Sequence, residues 1–149
     1  MFSRILVPVD IHEIEVAREA LAPAVAIAKQ FDSMMRLISV ASPIPPAAPL
    51  ASIPQTIFDS IGAYEKKRLD AFASTIDLPS ERLSMTIRIG GVYPEVLAEA
   101  EEWSADLIVI GAHRRSMATF LLGSTASAVS RHANCTVMIV RSHLKARLI

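Results

Sequence analysis

The chain has 149 residues, with 15 Lys and Arg against 15 Asp and Glu, and 52% of it is apolar. That length suits one domain with a real core, and the zero net charge speaks against nucleic acid as a main partner, because no cationic excess is present to neutralise a phosphate backbone. Cys135 is the single cysteine, so an intrachain disulfide is excluded and a reducing compartment is suited. No apolar run approaches the roughly 20 residues that span a bilayer, and the opening Phe2-Ser3-Arg4-Ile5-Leu6-Val7 reads as a strand and not as a signal peptide. A soluble, cytoplasmic protein without membrane insertion is the expectation.

Residues 3–9 predict a first strand, apolar on both faces like a central strand of a parallel sheet. Residues 12–31 predict a helix, with Val16, Leu21, Val25 and Ile27 in its apolar stripe. Pro23 falls inside it and predicts a kink or a late start. Asp10-Ile11-His12-Glu13 resembles a capping box for that helix. Residues 36–41 predict a second strand. Residues 42–54 hold Pro43, Pro45, Pro46, Pro49 and Pro54 and predict an exposed, mobile loop.

A second helix is expected over 55–76, with Glu65-Lys66-Lys67-Arg68 on its solvated face. The third strand, 83–89, alternates strictly, which predicts one buried face and an edge position. Gly90-Gly91 turns the chain, and Pro94 fits the first turn of a third helix that runs to about 103. A fourth strand over 106–111, a fourth helix over 124–133 and a fifth strand over 136–141 follow. Residues 142–149 form a tail.

Strands that alternate with helices predict a doubly wound parallel sheet with helices on both faces and right-handed crossovers. Five such strands in the order 3-2-1-4-5 have their switch point beside strand 1, and ligands sit there at the carboxyl ends of the strands. Strand 4 is followed by Gly111-Ala112-His113-Arg114-Arg115 and then by Gly123-Ser124-Thr125 at a predicted helix start. The first amides of a helix have no internal partner, and the dipole is positive there, so this arrangement suits a phosphate. Arg114 and Arg115 add forked donors. Asp10, at the end of strand 1, would face the same crevice, either as a ligand of base or ribose or as a helix cap.

Other chemistries find no support. The chain lacks a Gly-x-x-x-x-Gly-Lys loop, a Gly-x-Gly-x-x-Gly turn and a Gly-x-Ser-x-Gly elbow. His12, His113, His132 and His143 show no metal-ligand spacing. Cys135, ahead of an apolar strand, reads as a small core residue. A phosphoacceptor receiver would need an Asp where Ile89-Gly90 stands. A pyrophosphatase-type ATP enzyme would need a Ser-Gly-Gly-like loop where Asp10-Ile11-His12 stands.

Several segments in this order carry a family resemblance: Ile5-Leu6-Val7-Pro8-Val9-Asp10, Leu37-Ile38-Ser39-Val40, Gly90-Gly91-Val92-Tyr93-Pro94-Glu95-Val96, Ala105-Asp106-Leu107-Ile108-Val109-Ile110-Gly111, Leu121-Leu122-Gly123-Ser124 and Thr136-Val137-Met138-Ile139-Val140-Arg141. Over residues 1–141 the chain resembles a universal stress protein, which implies the adenine-nucleotide alpha-hydrolase-like fold. The ATP-binding branch of that family has Gly, two residues, Gly, nine residues, Gly, then Ser or Thr. Here Arg114 stands at the second Gly and eight residues separate it from Gly123. This shorter form resembles a bacterial subgroup that includes nucleotide binders.

The resemblance implies that Pro8, Val9, Asp10 and Val40 contact adenine and ribose. Ile110 and Gly111 would line the ribose side, Gly123, Ser124 and Thr125 would hold phosphates, and His113 and Arg114 would lie over the phosphate chain. ATP or AMP is the implied ligand, with Mg²⁺ accompanying ATP, and no residue is assigned to catalysis or to a resident metal. The implied protein is a stress-response regulator whose partner surface depends on the nucleotide, through movement of the loop between Ala112 and Leu122. Its alternatives are a slow ATPase or self-phosphorylating enzyme and a nucleotide-free interaction module. Strand 5, residues 136–141, is the implied homodimer edge, and its apolar run without Pro or a central charge suits strand pairing.

Overall fold

Runs rich in Ile, Leu and Val, separated by helices with one apolar stripe, set the architecture. A computed structural model describes residues 1–42, 54–112 and 122–141. Its elements are β1 (Arg4–Pro8), α1 (Ile14–Phe31), β2 (Met34–Ala41), α2 (Gln55–Ala73), a 3₁₀ turn (Ser80–Arg82), β3 (Leu83–Ile89), α3 (Val92–Glu102), β4 (Leu107–Gly111), α4 (Ser124–His132) and β5 (Thr136–Val140). The strands form one sheet in the order β3-β2-β1-β4-β5, and every pairing is parallel. This is the expected 3-2-1-4-5 order, with β3 at one edge and β5 at the other.

Side chains alternate across a strand, so each strand feeds two cores. Ile5, Val7, Leu37, Leu107 and Val109 pack against α1 and α2 through Leu21, Ala24, Ala28, Leu69 and Phe72. Leu6, Ile38, Ile108 and Ile110 pack against α3 and α4 through Val96, Ala100, Ala126 and Val129. Ile5, Leu6 and Val7 are fully buried in succession, as a central parallel strand requires. Each such side chain contributes roughly 1.5–3 kcal/mol by leaving water. Among the described residues no helix is long and apolar enough to cross a membrane.

Three local expectations are corrected. Asp10 does not cap α1: the cap residue is Glu13, without a side-chain cap bond. Asp10 Oδ1 instead accepts the His12 N–H at 2.9 Å, and the Asp10 carbonyl accepts the Glu13 N–H at 3.0 Å, so the carboxylate shapes the turn before the helix. Pro23 does not delay α1, which begins at Ile14 and runs on through the proline. Glu65 is not on a solvated face. Lys66, Lys67 and Arg68 are exposed, but Glu65 is 5% exposed, because it stands one turn before Leu69 on the stripe that continues to Phe72 and Ala73.

A polar cluster fastens α3 to the sheet. Glu99 is buried between Arg36 of β2 at 2.7 Å and Arg88 of β3 at 2.8 Å. Arg88 also pairs with Glu95 at 2.6 Å and Glu102 at 3.0 Å. The Arg36 guanidinium lies 4.5 Å from the Trp103 ring centroid. The proline-rich loop (43–53), the segment 113–121 and the tail (142–149) lie outside the described residues.

Candidate functional site at the switch point

The parallel pairing of β1 with β4 brings two chain segments to one end of the sheet. Beyond Pro8 the chain holds register for one more residue, as the Val9 N–H donates to the Ile38 carbonyl at 2.8 Å. Asp10 then turns the chain toward α1. Beyond β4 the Ala112 N–H donates to Val140 at 2.9 Å, and the Gly123 N–H donates to Ala112 at 2.6 Å. The end of β4 is thereby tied directly to the start of α4.

Gly123 is the cap residue of α4, in extended backbone with φ −61° and ψ 156°, and no side chain caps this end. Ser124 is the first helical residue. The intrahelical ladder begins with the Ser127 N–H on the Gly123 carbonyl at 2.9 Å. The amides of Ser124, Thr125 and Ala126 have no partner within the helix, and they share the positive end of its dipole.

Both segments border one cavity of about 910 Å³, within the range of small-molecule sites. Pro8, Val9 and Asp10 line it from β1, Val40 from β2, Ile110 and Gly111 from β4, and Gly123, Ser124 and Thr125 from α4. The structure brings these nine predicted residues together. His113 and Arg114 lie outside the described residues. The remaining wall is largely apolar, with Val16 of α1, Ile57 and Ile61 of α2 and Val96 of α3. Gly111 has a packing reason of its own: a Cβ there would meet Val16 Cγ1 at 3.0 Å, so the glycine lets the end of β4 lie against α1.

Sequence reasoning missed two buried polar residues of this cavity. Ser39 and Glu65 both line it, are 1% and 5% exposed, and are joined by a bond from Ser39 Oγ to Glu65 Oε2 at 2.5 Å. The signal for Glu65 was its helical spacing to Leu69. Ser39, inside an apolar strand, carried no comparable signal. Arg68, also of α2, donates to the Ile11 carbonyl at 3.3 Å and so fastens α2 to the turn after β1. Cys135 is no part of the cavity lining. It packs beside the core under α3 and α4, and burial, with Asp106 nearby, pushes its thiol above the ordinary range.

Residues 1–141 match the Universal stress protein family. Universal stress protein G of Shigella flexneri is 35% identical over 146 residues, covering 95% of this chain and 100% of the relative. Among solved structures, the universal stress protein UspA from Lactobacillus plantarum superposes with a TM-score of 0.76 at 27% identity, over 94% of this chain and 98% of that one. A universal stress protein in complex with cAMP gives 0.61 at 20% identity, over 94% and 97%. One from Archaeoglobus fulgidus in complex with dAMP gives 0.57 at 16% identity, over 94% and 98%.

Proposed function

The chain belongs to the universal stress protein family, and from that premise we propose that it binds an adenine nucleotide, ATP or AMP, in the cavity between the ends of β1 and β4. The observation that carries this reading is the shared cavity of Asp10 and the uncapped start of α4. Three helix amides face a space that also has an apolar slot for a base. A phosphate would satisfy those amides and meet the positive dipole end, with the Ser124 and Thr125 hydroxyls as further donors. Pro8, Val9, Asp10 and Val40 take adenine and ribose, and Ile110 and Gly111 border the ribose. His113 and Arg114 join the phosphate side by family resemblance. Mg²⁺, where ATP is the ligand, enters with its phosphates. The solved relatives in complex with cAMP and dAMP support an adenine base.

The role is regulatory: bound nucleotide shifts the balance between two states of a partner surface in a stress response. A ligand shifts such a balance only by its difference in affinity for the two states. A micromolar site is worth about 8 kcal/mol in all, so a difference of a small part of that suffices for a switch. We assign the homodimer to the outer edge of β5.

Isothermal titration tests the binding. ATP and AMP are expected to bind the wild-type protein, with at least a tenfold loss in Gly123→Asp, in line with about 1.4 kcal/mol for removing one charge-assisted contact. Backbone at Gly123 is allowed to any residue, and Asp is a favoured cap. The variant is therefore expected to keep its fold, checked by its melting temperature, while its carboxylate takes up the helix amides and repels the phosphate. Absence of heat from every adenine nucleotide with the wild-type protein overturns the reading.

A further inference from the structure

Two carboxylates are equally buried among the described residues, Glu65 and Glu99, each 5% exposed, and their surroundings differ. Glu99 lies between the guanidiniums of Arg36 and Arg88 and is no part of the cavity lining. Its burial is explained by those two ion pairs. Among the described residues Glu65 has no ion pair and one hydrogen bond, from Ser39. The nearby Arg68 is engaged elsewhere, with the Ile11 carbonyl at 3.3 Å and the Tyr64 hydroxyl at 3.4 Å. A carboxylate so placed is costly unless donors meet its remaining lone pairs. Glu65 lines the cavity, and its second oxygen is not sealed from it, so a donor on a ligand has room to reach that oxygen.

The chemistry of that donor is restricted. A carboxylate offers acceptors only, and the Ser39 hydroxyl, by donating, reinforces that role. Ser39 immediately precedes Val40, one of the residues on the base side of the proposed site. Adenine carries an amino donor at its 6-position, whereas guanine and hypoxanthine carry an oxygen acceptor there. We propose that Glu65, held by Ser39, is a specificity residue that accepts a hydrogen bond from the 6-amino group of the base and selects adenine over 6-oxo purines. This deepens the adenine-nucleotide reading and rests on it. A 6-oxo purine in the same pose sets oxygen against oxygen and leaves the buried carboxylate without its donor.

The test is titration of wild-type protein, Glu65→Gln and Ser39→Ala with AMP, IMP and GMP, alongside the melting temperature of each unliganded protein. Wild-type protein is expected to prefer AMP to IMP by about tenfold or more. In Glu65→Gln, whose amide both donates and accepts, the ratio falls toward one. Ser39→Ala, which only loosens the carboxylate, lowers the ratio less. Purine riboside 5′-monophosphate, which lacks the 6-amino group, needs no variant and is expected to bind wild-type protein about tenfold more weakly than AMP. An unchanged AMP:IMP ratio in a folded Glu65→Gln protein, or a wild-type preference for GMP, overturns the inference and leaves nucleotide binding standing. Failure of wild-type protein to bind AMP and ATP at all overturns the underlying reading instead.

Discussion

Arg88 shows how one residue can organise a surface. Hydrogen bonds from its guanidinium to Glu102, then Glu95, then Glu99 hold it protonated beyond its ordinary range. The same contact holds the Glu102 carboxyl below its ordinary value of 4.5, first through the hydrogen bond from Arg88 and then through its charge. A carboxylate whose value is depressed in the fold contributes stability above its unfolded value, and that contribution is lost as pH falls through the folded one. Glu102→Gln is therefore expected to melt below wild type at neutral pH, with the gap closing as pH drops well under 4.5. A gap that persists in acid contradicts this account. Thermal melts of both proteins across that range decide it. Glu95, Glu99 and Glu102 share one helix face by spacing alone, but their common partner, Arg88, comes from strand β3 and was not legible in sequence.

Two glycines give opposite expectations at the scale of elements. Gly90, between β3 and α3, has φ +151°, and a Cβ there would meet Glu95 Oε1 at 3.0 Å. Glu95 is itself held by Arg88, so it cannot easily give way. Gly90→Ala is expected to destabilise by about 1–2 kcal/mol. Gly62 lies inside α2 with nothing within 4 Å of an added Cβ. Gly62→Ala is expected to stabilise by about 0.5–1 kcal/mol, through helix propensity and a less free unfolded chain. Urea midpoints with unchanged slopes check both, and the same sign at both positions refutes the argument. Periodicity located each strand and α-helix among the described residues, though not the 3₁₀ turn Ser80–Arg82, and the ends moved by a few residues. Local bonds moved some of them: after α2 the Ser74 and Thr75 hydroxyls donate to Ala71 and Phe72 carbonyls, and the helix ends at Ala73 instead of 76. The capping-box pattern at Asp10 misled because the chain uses that carboxylate one turn earlier.

At the scale of the whole molecule, β5 is an outer strand bonded on one side to β4. Its outer backbone groups face away from the sheet, and Val137 to Val140 are only half-buried. Such an edge pairs readily with a second copy. Sedimentation equilibrium is expected to give a dimer at micromolar protein, and a monomer throughout that range refutes the assignment. Apolar runs and amphipathic stretches, readable residue by residue, determined the parallel, doubly wound class of fold, because burial patterns are local; the order 3-2-1-4-5, and with it the neighbourhood of Asp10 and Ser124, was one of the few topologies that parallel crossovers admit. Tertiary structure alone decided that Glu65 turns inward onto Ser39, that Gly111 yields space to Val16 and that Asp10 shapes a turn instead of capping a helix. The first two depend on which side chain arrives from a distant part of the chain, and sequence spacing holds no record of such distances; the third turns on the backbone amide of His12, two residues away, where residue types alone do not separate a turn from a cap.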